Sequence, residues 1–331
     1  MPAISVILPV YNAADYLLEA VESILNQSFK DFELIIINDG STDNSEAIIN
    51  SISDARIRYI ENDGNKGLIY TLNRGIGEAT CTYIVRMDAD DISVPTRLEK
   101  QYAFMEKNSD IGACGAYAEY IGNRIGIWKY PVLDKEIRCR LMWGSSIIHP
   151  SAIIRKSVLT QYQIKYNEQY IAAEDYKLWV DIAKVSKLHN IPEILLKYRT
   201  HNNQVTTTKI SKMDNTKSKI IFEQILSAGV RVTEDDFEII SKFVLYAYNF
   251  TVLELKRLFE IYFQYMQNNK KVQIYDPTLI DNQIKERLFE ACYFSTKNCG
   301  IQAIKIFDQH YKIREVDYMK RVKFYYKALV R

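Results

Sequence analysis

Four short apolar runs recur within the first ninety residues, and each stops at a polar cluster. They are "ISVILPV" (4–10), "FELIIIND" (32–39), "RIRYIEN" (56–62) and "TYIVRM" (82–87). The segments between them carry apolar residues at helical spacing. Leu17, Leu18, Val21, Ile24 and Leu25 do so in "AADYLLEAVESILNQS", and "KGLIYTLNRGIGEAT" reads as a further helix. Strands alternating with helices restrict the chain to an α/β layer with a largely parallel sheet. Ser41 and Asp43 are placed to cap the helix that holds Ile48 and Ile49.

In such sheets ligands bind beyond the carboxyl ends of the strands. Here those ends are Pro9-Val10-Tyr11-Asn12, Asn38-Asp39-Gly40 and Asp88-Ala89-Asp90, with Asp91 next. Turn chemistry alone explains any one of them, because Asp, Asn and Gly end strands anyway. Three together mark one polar edge. The three carboxylates around Ala89 repel one another unless something compensates. Hard oxygen ligands suit Mg²⁺ or Mn²⁺, ions that keep waters and bind substrate phosphates. The residues alone thus imply a metal and a phosphate at a sheet edge. There is no Walker A loop and no dinucleotide glycine fingerprint.

Regularity loosens after residue 110. "IGACGAYAEYIGNRIGIWKYP" reads as strand, turn, strand, with the turn at Gly122-Asn123, and "HPSAIIRKSVL" as another strand. "AAEDYKLWVDIAKVS" is a helix opening on acids, as the helix dipole favours. "EILLKYRTHNNQVT" is a strand with a polar loop. From about residue 209 glycine becomes scarce and the pattern turns helical, with Thr233 and Asp236 set to cap one helix. The expected organisation is an α/β domain over 1–208, split near residue 110, and a helical region over 209–331.

A net charge of +2 gives no argument for nucleic acid as a partner. Five scattered cysteines without a CxxC fit a reduced, cytosolic chain. The N-terminus lacks the basic leader and cleavage site of a signal peptide, and no apolar run approaches the ~20 residues of a membrane span. The last segment, "VDYMKRVKFYYKALVR", sets Lys320, Arg321, Lys323, Lys327 and Arg331 against Asp317 alone, a local +4. It has two readings: a helix lying on an anionic membrane, or one packed on its neighbours.

The motifs in combination resemble the family-2 class of inverting glycosyltransferases with the GT-A fold, a Rossmann-like mixed sheet flanked by helices. "SVILPVYNAADYLLEAVESILNQSF", "FELIIINDGSTDNS" and "NKGLIYTLNRGIGEATCTYIVRMDADDISVPTRLEKQ" are similar to that family's first three signatures. "HPSAIIRKS", "AAEDYKLWV" and "YRTHNNQVT" follow in the expected order, so that the resemblance covers residues 3–207. It implies that Pro9, Val10 and Tyr11 form the lip around the nucleobase and ribose, and that Asp39 binds near the base. Asn65, Gly67 and Asn73 lie near the nucleotide. Arg86 precedes the acidic motif Asp88-Ala89-Asp90. Asp88 belongs near the ribose or donor sugar, Asp90 is the metal ligand, and Asp91 supports the turn or the donor sugar. Asp175 matches the catalytic base, with a helix-start acid as the plainer reading, and His201 helps hold metal or diphosphate. The implied donor is a UDP-hexose or UDP-N-acetylhexosamine, with Mn²⁺ or Mg²⁺. The implied acceptor is a glycan or lipid-linked saccharide of bacterial surface polysaccharide assembly, on the cytoplasmic side and peripheral to the membrane if the last helix binds it.

Two other readings compete. A nucleotidyltransferase also pairs such a sheet with acids, but no Gly-rich basic loop for a triphosphate is present. A non-catalytic binding or scaffold protein of the same fold would lack one of the acids, and Asp88, Asp90 and Asp175 are all here. Trp143 is open between a core role and stacking on an acceptor sugar. His149 is read as structural or as part of an acceptor cleft, and His189 and His310 as ordinary packed or solvated residues.

Overall fold

The computed structural model describes residues 2–201 and 210–329. The end of the "YRTHNNQVT" motif, from residue 202 on, and Val330 and Arg331 lie outside the described residues. The chain divides into two compact units, Met1–Ile210 and Ser211–Arg331.

The first unit is built on one sheet. Its strands are β1 (Ile4–Val10), β2 (Phe32–Asn38), β3 (Ile57–Glu61), β4 (Tyr83–Arg86), β5 (Ile92–Ser93), β6 (Ile111–Gly122), β7 (Gly126–Trp128), β8 (Ile153–Arg155) and β9 (Lys187–Thr200). Their order in space is β3-β2-β1-β4-β8-β6-β9-β5, with β7 paired to β6. The first four run parallel, and so do β6 and β9. β8 is antiparallel to both of its neighbours and so joins the two parallel blocks. The result is a mixed sheet of GT-A type.

All seven residues of β1 are buried, the mark of a central strand covered on both faces. Helix α1 (Leu17–Leu25) buries Leu17, Ala20, Val21 and Ile24. Beyond α2 (Ser45–Ser51), α3 (Leu68–Glu78) lies so close to the sheet that a Cβ on Gly75 would stand 2.5 Å from Ile7 Cγ2. Helices α4 (Arg97–Lys107), α5 (Asp134–Leu141), α6 (Lys156–Gln161) and α7 (Glu174–Ala183) complete the unit.

Two local expectations are corrected. "HPSAIIRKSVL" is a 3₁₀ turn at His149–Ser151, the three-residue β8 and then α6, because an apolar run this short does not distinguish strand from helix. Ser41 does not cap α2: its Oγ accepts from Asn12 N at 3.1 Å. Asp43 does serve the start of α2, accepting from Ser45 N at 3.0 Å, and its other oxygen accepts from Ala14 N at 2.9 Å. The loops after β1 and β2 are thereby laced together.

The second unit is helical, with helices Ile210–Ser227, Glu234–Val244, Val252–Val272, Pro277–Phe294, Thr296–Cys299, Ile301–His310 and Tyr318–Leu329. Phe243, Leu258, Phe259, Tyr262, Ile284, Leu288, Phe307 and Phe324 are among its buried residues. Asp236 accepts from Thr233 N at 2.7 Å, the cap read from sequence, and also takes two 2.8 Å bonds from Arg257. The helical pattern of 236–266 is broken between Val244 and Val252, with Tyr246 in the left-handed region at φ 58°. The five cysteines are buried and none forms a disulfide. Among the described residues no helix is long and apolar enough to cross a membrane.

Candidate active site

The carboxyl ends of β1, β2 and β4 meet at one edge of the sheet. At the end of β2, Asp39 is buried and organises the loop after β3. Its Oδ1 accepts from Asn62 Nδ2 at 2.7 Å and Lys66 N at 2.9 Å, and its Oδ2 accepts from Gly67 N at 2.8 Å. These bonds leave Oδ2 with acceptor capacity for one further donor. Gly40, at φ +70°, lets this loop come close: a Cβ there would lie 2.6 Å from the Gly64 carbonyl carbon. Asn65 is exposed on the same loop. Asn73 is committed elsewhere, its amide bonding Tyr166 O at 2.8 Å and Tyr166 N at 3.0 Å. Pro9 and Val10 are buried, and Val10 O accepts from Asp39 N at 2.8 Å. Tyr11, by contrast, is 50% exposed at the rim.

At the end of β4, Asp88, Asp90 and Asp91 bring one carboxylate oxygen each within 4.8 Å of one another, a spacing able to hold a metal ion. His201 joins them, its Nε2 standing 3.0 Å from Asp90 Oδ2. Asp88 is paired through both oxygens with the guanidinium of Arg86, a buried residue. Burial, with the charges of Asp90 and Asp175, still pushes the Asp88 carboxyl up to about 6 against the pull of Arg86. Burial and the charges of Asp88 and Asp90 raise Asp91 well above the usual carboxylate range. Asp91 Oδ1 accepts from Arg199 N at 2.9 Å, whereas its Oδ2 is buried without a hydrogen-bond partner. An orphaned carboxylate oxygen, two acids held toward protonation and an imidazole in one cluster fit a divalent cation.

Residues not singled out from sequence hold this cluster in place. Arg199 Nε donates to Asp90 O at 2.8 Å, and its guanidinium lies 4.6 Å from the Tyr16 ring centre. The His201 ring centre lies 5.4 Å from that of Tyr16. Arg97 is fully buried beneath the acids, donating to Arg86 O at 2.9 Å and Gln101 Oε1 at 3.1 Å. Burial drives its guanidinium down to about 9, opposed by the negative charge of Asp91. A sequence signal for it existed: Arg97 and Gln101 fall on the helical face of Leu98 and Met105, a face that a surface residue would avoid.

Asp175 lies in the first turn of α7, where Ser145 Oγ donates to its Oδ2 at 3.2 Å. Burial raises its carboxyl, with the Tyr176 N–H, Ser145 and Arg86 pulling the other way. Burial, reinforced by Asp175, raises Glu174 to about 7. The charge of Asp175 is among the influences that raise Asp88, so the two carboxylates are neighbours. His149 is buried with Nε2 2.7 Å from Tyr166 OH, and burial plus the Arg86 charge keep it neutral. His189 stacks on Phe104 and His310 packs beside Phe259. Trp143 is only 6% exposed, so its place is in the core.

The chain is similar to known glycosyltransferases in sequence and in fold. The family model Glycosyl transferase family 2 matches residues 5–162. An uncharacterized glycosyltransferase of Haemophilus influenzae is 39% identical over 237 residues, covering 68% of this chain and 73% of that protein. The fold is similar to that of S. aureus TarS 1-349 in complex with UDP-GlcNAc, with a TM-score of 0.57, 16% identity and coverage of 96% of this chain and 92% of the other. It is also similar to that of the mannosyltransferase PcManGT from Pyrobaculum calidifontis in complex with GDP-Man and Mn2+, with a TM-score of 0.54, 15% identity and coverage of 89% and 87%. Identity of this extent with a glycosyltransferase, together with the family match across the sheet edge that carries the acids, makes this chain a member of glycosyl transferase family 2.

Proposed function

We propose that the protein transfers a sugar, with inversion, from a UDP-hexose or UDP-N-acetylhexosamine to a glycan or lipid-linked saccharide of surface polysaccharide assembly. In this reading residues 1–110 carry the donor side and 111–208 the acceptor side. The observation that carries it is the placing of the acidic cluster at the β4 end within charge range of Asp175 on α7.

Asp90, Asp91 and His201 would hold Mn²⁺ or Mg²⁺, with Asp88 beside them toward the donor sugar. A cation bound there supplies Lewis-acid stabilisation of the diphosphate leaving group. Asp175 takes the proton from an acceptor hydroxyl as its oxygen bonds to the anomeric carbon and the bond to the diphosphate oxygen breaks. Ser145 fixes the orientation of that carboxylate. Tyr11 and the spare acceptor position of Asp39 serve the nucleobase.

The fold neighbours carry different nucleotides, so the test is a calorimetric screen of UDP, GDP, CDP and dTDP with and without Mn²⁺ or Mg²⁺. Metal-dependent binding of UDP above the others is expected. Binding of none of them would overturn the reading.

The terminal helix bears on the acceptor. Phe324 and Ala328 are buried, and the Phe324 ring meets Phe289 at 5.2 Å, so this face packs within its own unit. Tyr318, Met319, Val322, Tyr325, Tyr326 and Leu329 stay exposed. At 3.6 residues per turn they share an arc of about 120°, with Arg321 at one border and Lys323 at the other. An apolar, aromatic arc with basic borders matches an anionic lipid surface. The protein is expected to co-sediment with vesicles containing phosphatidylglycerol at low salt. The Val322→Asp, Tyr326→Asp double variant should stay folded and lose that binding. Wild-type protein that ignores such vesicles at low salt would leave the helix a packing element alone.

A further inference from the structure

Within the sugar-transfer reading, we propose that Trp128, with Tyr120 and Tyr198, forms the platform on which the ring of the acceptor sugar stacks. The sheet register puts the three on one face. Tyr120 lies opposite Tyr198 of β9, and Trp128 lies opposite Ala118, two residues before Tyr120. The rings touch: Trp128 is 5.3 Å from Tyr198 at 87° and 5.7 Å from Tyr120 at 8°. Tyr130 extends the group, 5.7 Å from Trp128.

This aromatic surface bridges the two halves of the site. The Tyr198 hydroxyl feels the charges of Asp88, Asp91 and Asp90, and that of Tyr130 feels Asp175. Tyr198 also adjoins Arg199, which bonds Asp91 and Asp90, so the surface has the acidic cluster on its Tyr198 side and Asp175 on its Tyr130 side. Sugar rings present C–H faces that stack on aromatic faces, while their hydroxyls need donors and acceptors around the edge. Arg140, 4.8 Å from the Tyr130 ring centre, and Arg124, 4.3 Å from that of Tyr120, supply donors there. The rings pack partly on the core, yet Trp128 keeps water-exposed surface, unlike the buried Trp143 and Trp179.

That contrast supplies the readout. Of the three tryptophans, Trp128 is the one open to a quencher. Iodide quenching of intrinsic fluorescence is measured with full-length protein, UDP and Mn²⁺. The probes are octyl glucoside, octyl galactoside and octyl N-acetylglucosaminide, each below its micellar concentration. At least one glycoside is expected to protect Trp128 saturably. Ile125→Ala, at a position 94% exposed on the same hairpin, should keep the protection. With the best glycoside as acceptor, Trp128→Ala should raise its KM roughly tenfold, while Trp128→Phe, which keeps an aromatic face and the packing, should raise it less. Equal KM values in Trp128→Ala and wild type, or protection by none of the three glycosides, overturn the platform. Calorimetry with UDP on the same samples separates the failures: protein that binds UDP without glycoside protection refutes the platform alone. Protein that binds no nucleoside diphosphate refutes the sugar-transfer reading.

Discussion

Asp90→Ala is expected to abolish metal-dependent nucleotide binding and to lower turnover by about a thousandfold or more. The size follows from a Lewis acid worth several kcal/mol in the transition state, at about 1.4 kcal/mol per factor of ten. Asp90 carries the contact to His201 and, through its backbone oxygen, the contact to Arg199. Only the first is lost on truncation, so the loop should keep its path and the protein its melting temperature. The measurement is calorimetry with UDP and Mn²⁺ beside a turnover assay. Full-strength, metal-dependent UDP binding in the variant would remove Asp90 from the ligand set. His201→Ala should move the same two readings in the same direction by less, since the carboxylates remain.

Asp175→Asn should separate binding from chemistry. Donor affinity is expected to persist, while turnover falls by roughly 10²- to 10⁴-fold, the scale of a lost general base. The pH profile gives an independent check, and its sign is fixed. A base works when ionised, and the Asp175 carboxyl is raised above 3.8 in the folded protein. Wild-type turnover should therefore be complete at high pH and be lost as pH falls through a value above that of free aspartate. Glu174, held up to about 7, titrates beside it. A Glu174→Gln variant that loses as much activity as Asp175→Asn would exchange the roles of the two acids.

The parts of this architecture legible in the sequence are those that neighbouring residues specify. β1, β2 and β4 are nearly continuous apolar runs because they are buried on both faces, and no alternative periodicity competes. The acidic cluster is visible for the same reason, since four consecutive residues hold all three carboxylates. His201 is different. It reaches Asp90 across 111 positions, and only the family resemblance pointed to it. Ser145 on Asp175, Asn62 on Asp39 and Arg199 on the acidic loop are set by strand register and loop closure, which no local pattern encodes. Trp143 and Trp128 show the limit well. Both follow apolar residues, yet one is enclosed and the other opens to water.

The second parallel block has a consequence for how specificity can change. Tyr198 and Arg199 are successive residues of β9, so their side chains leave opposite faces of one strand. Tyr198 belongs to the aromatic surface, and Arg199 fastens the acidic loop. On the proposed function, acceptor choice and cation geometry therefore share a single, non-interchangeable part. The hairpin ending in β7 pairs along β6 and meets β9 at Tyr198 and Thr200, while the bonds to the acidic loop come from Arg199. Diversification, in evolution or by grafting, then has an asymmetric route: changes in segment 123–128 that keep its bonds to Thr200 alter the aromatic surface and leave Arg199 on the acidic loop, whereas exchanging β9 would alter both in the same step.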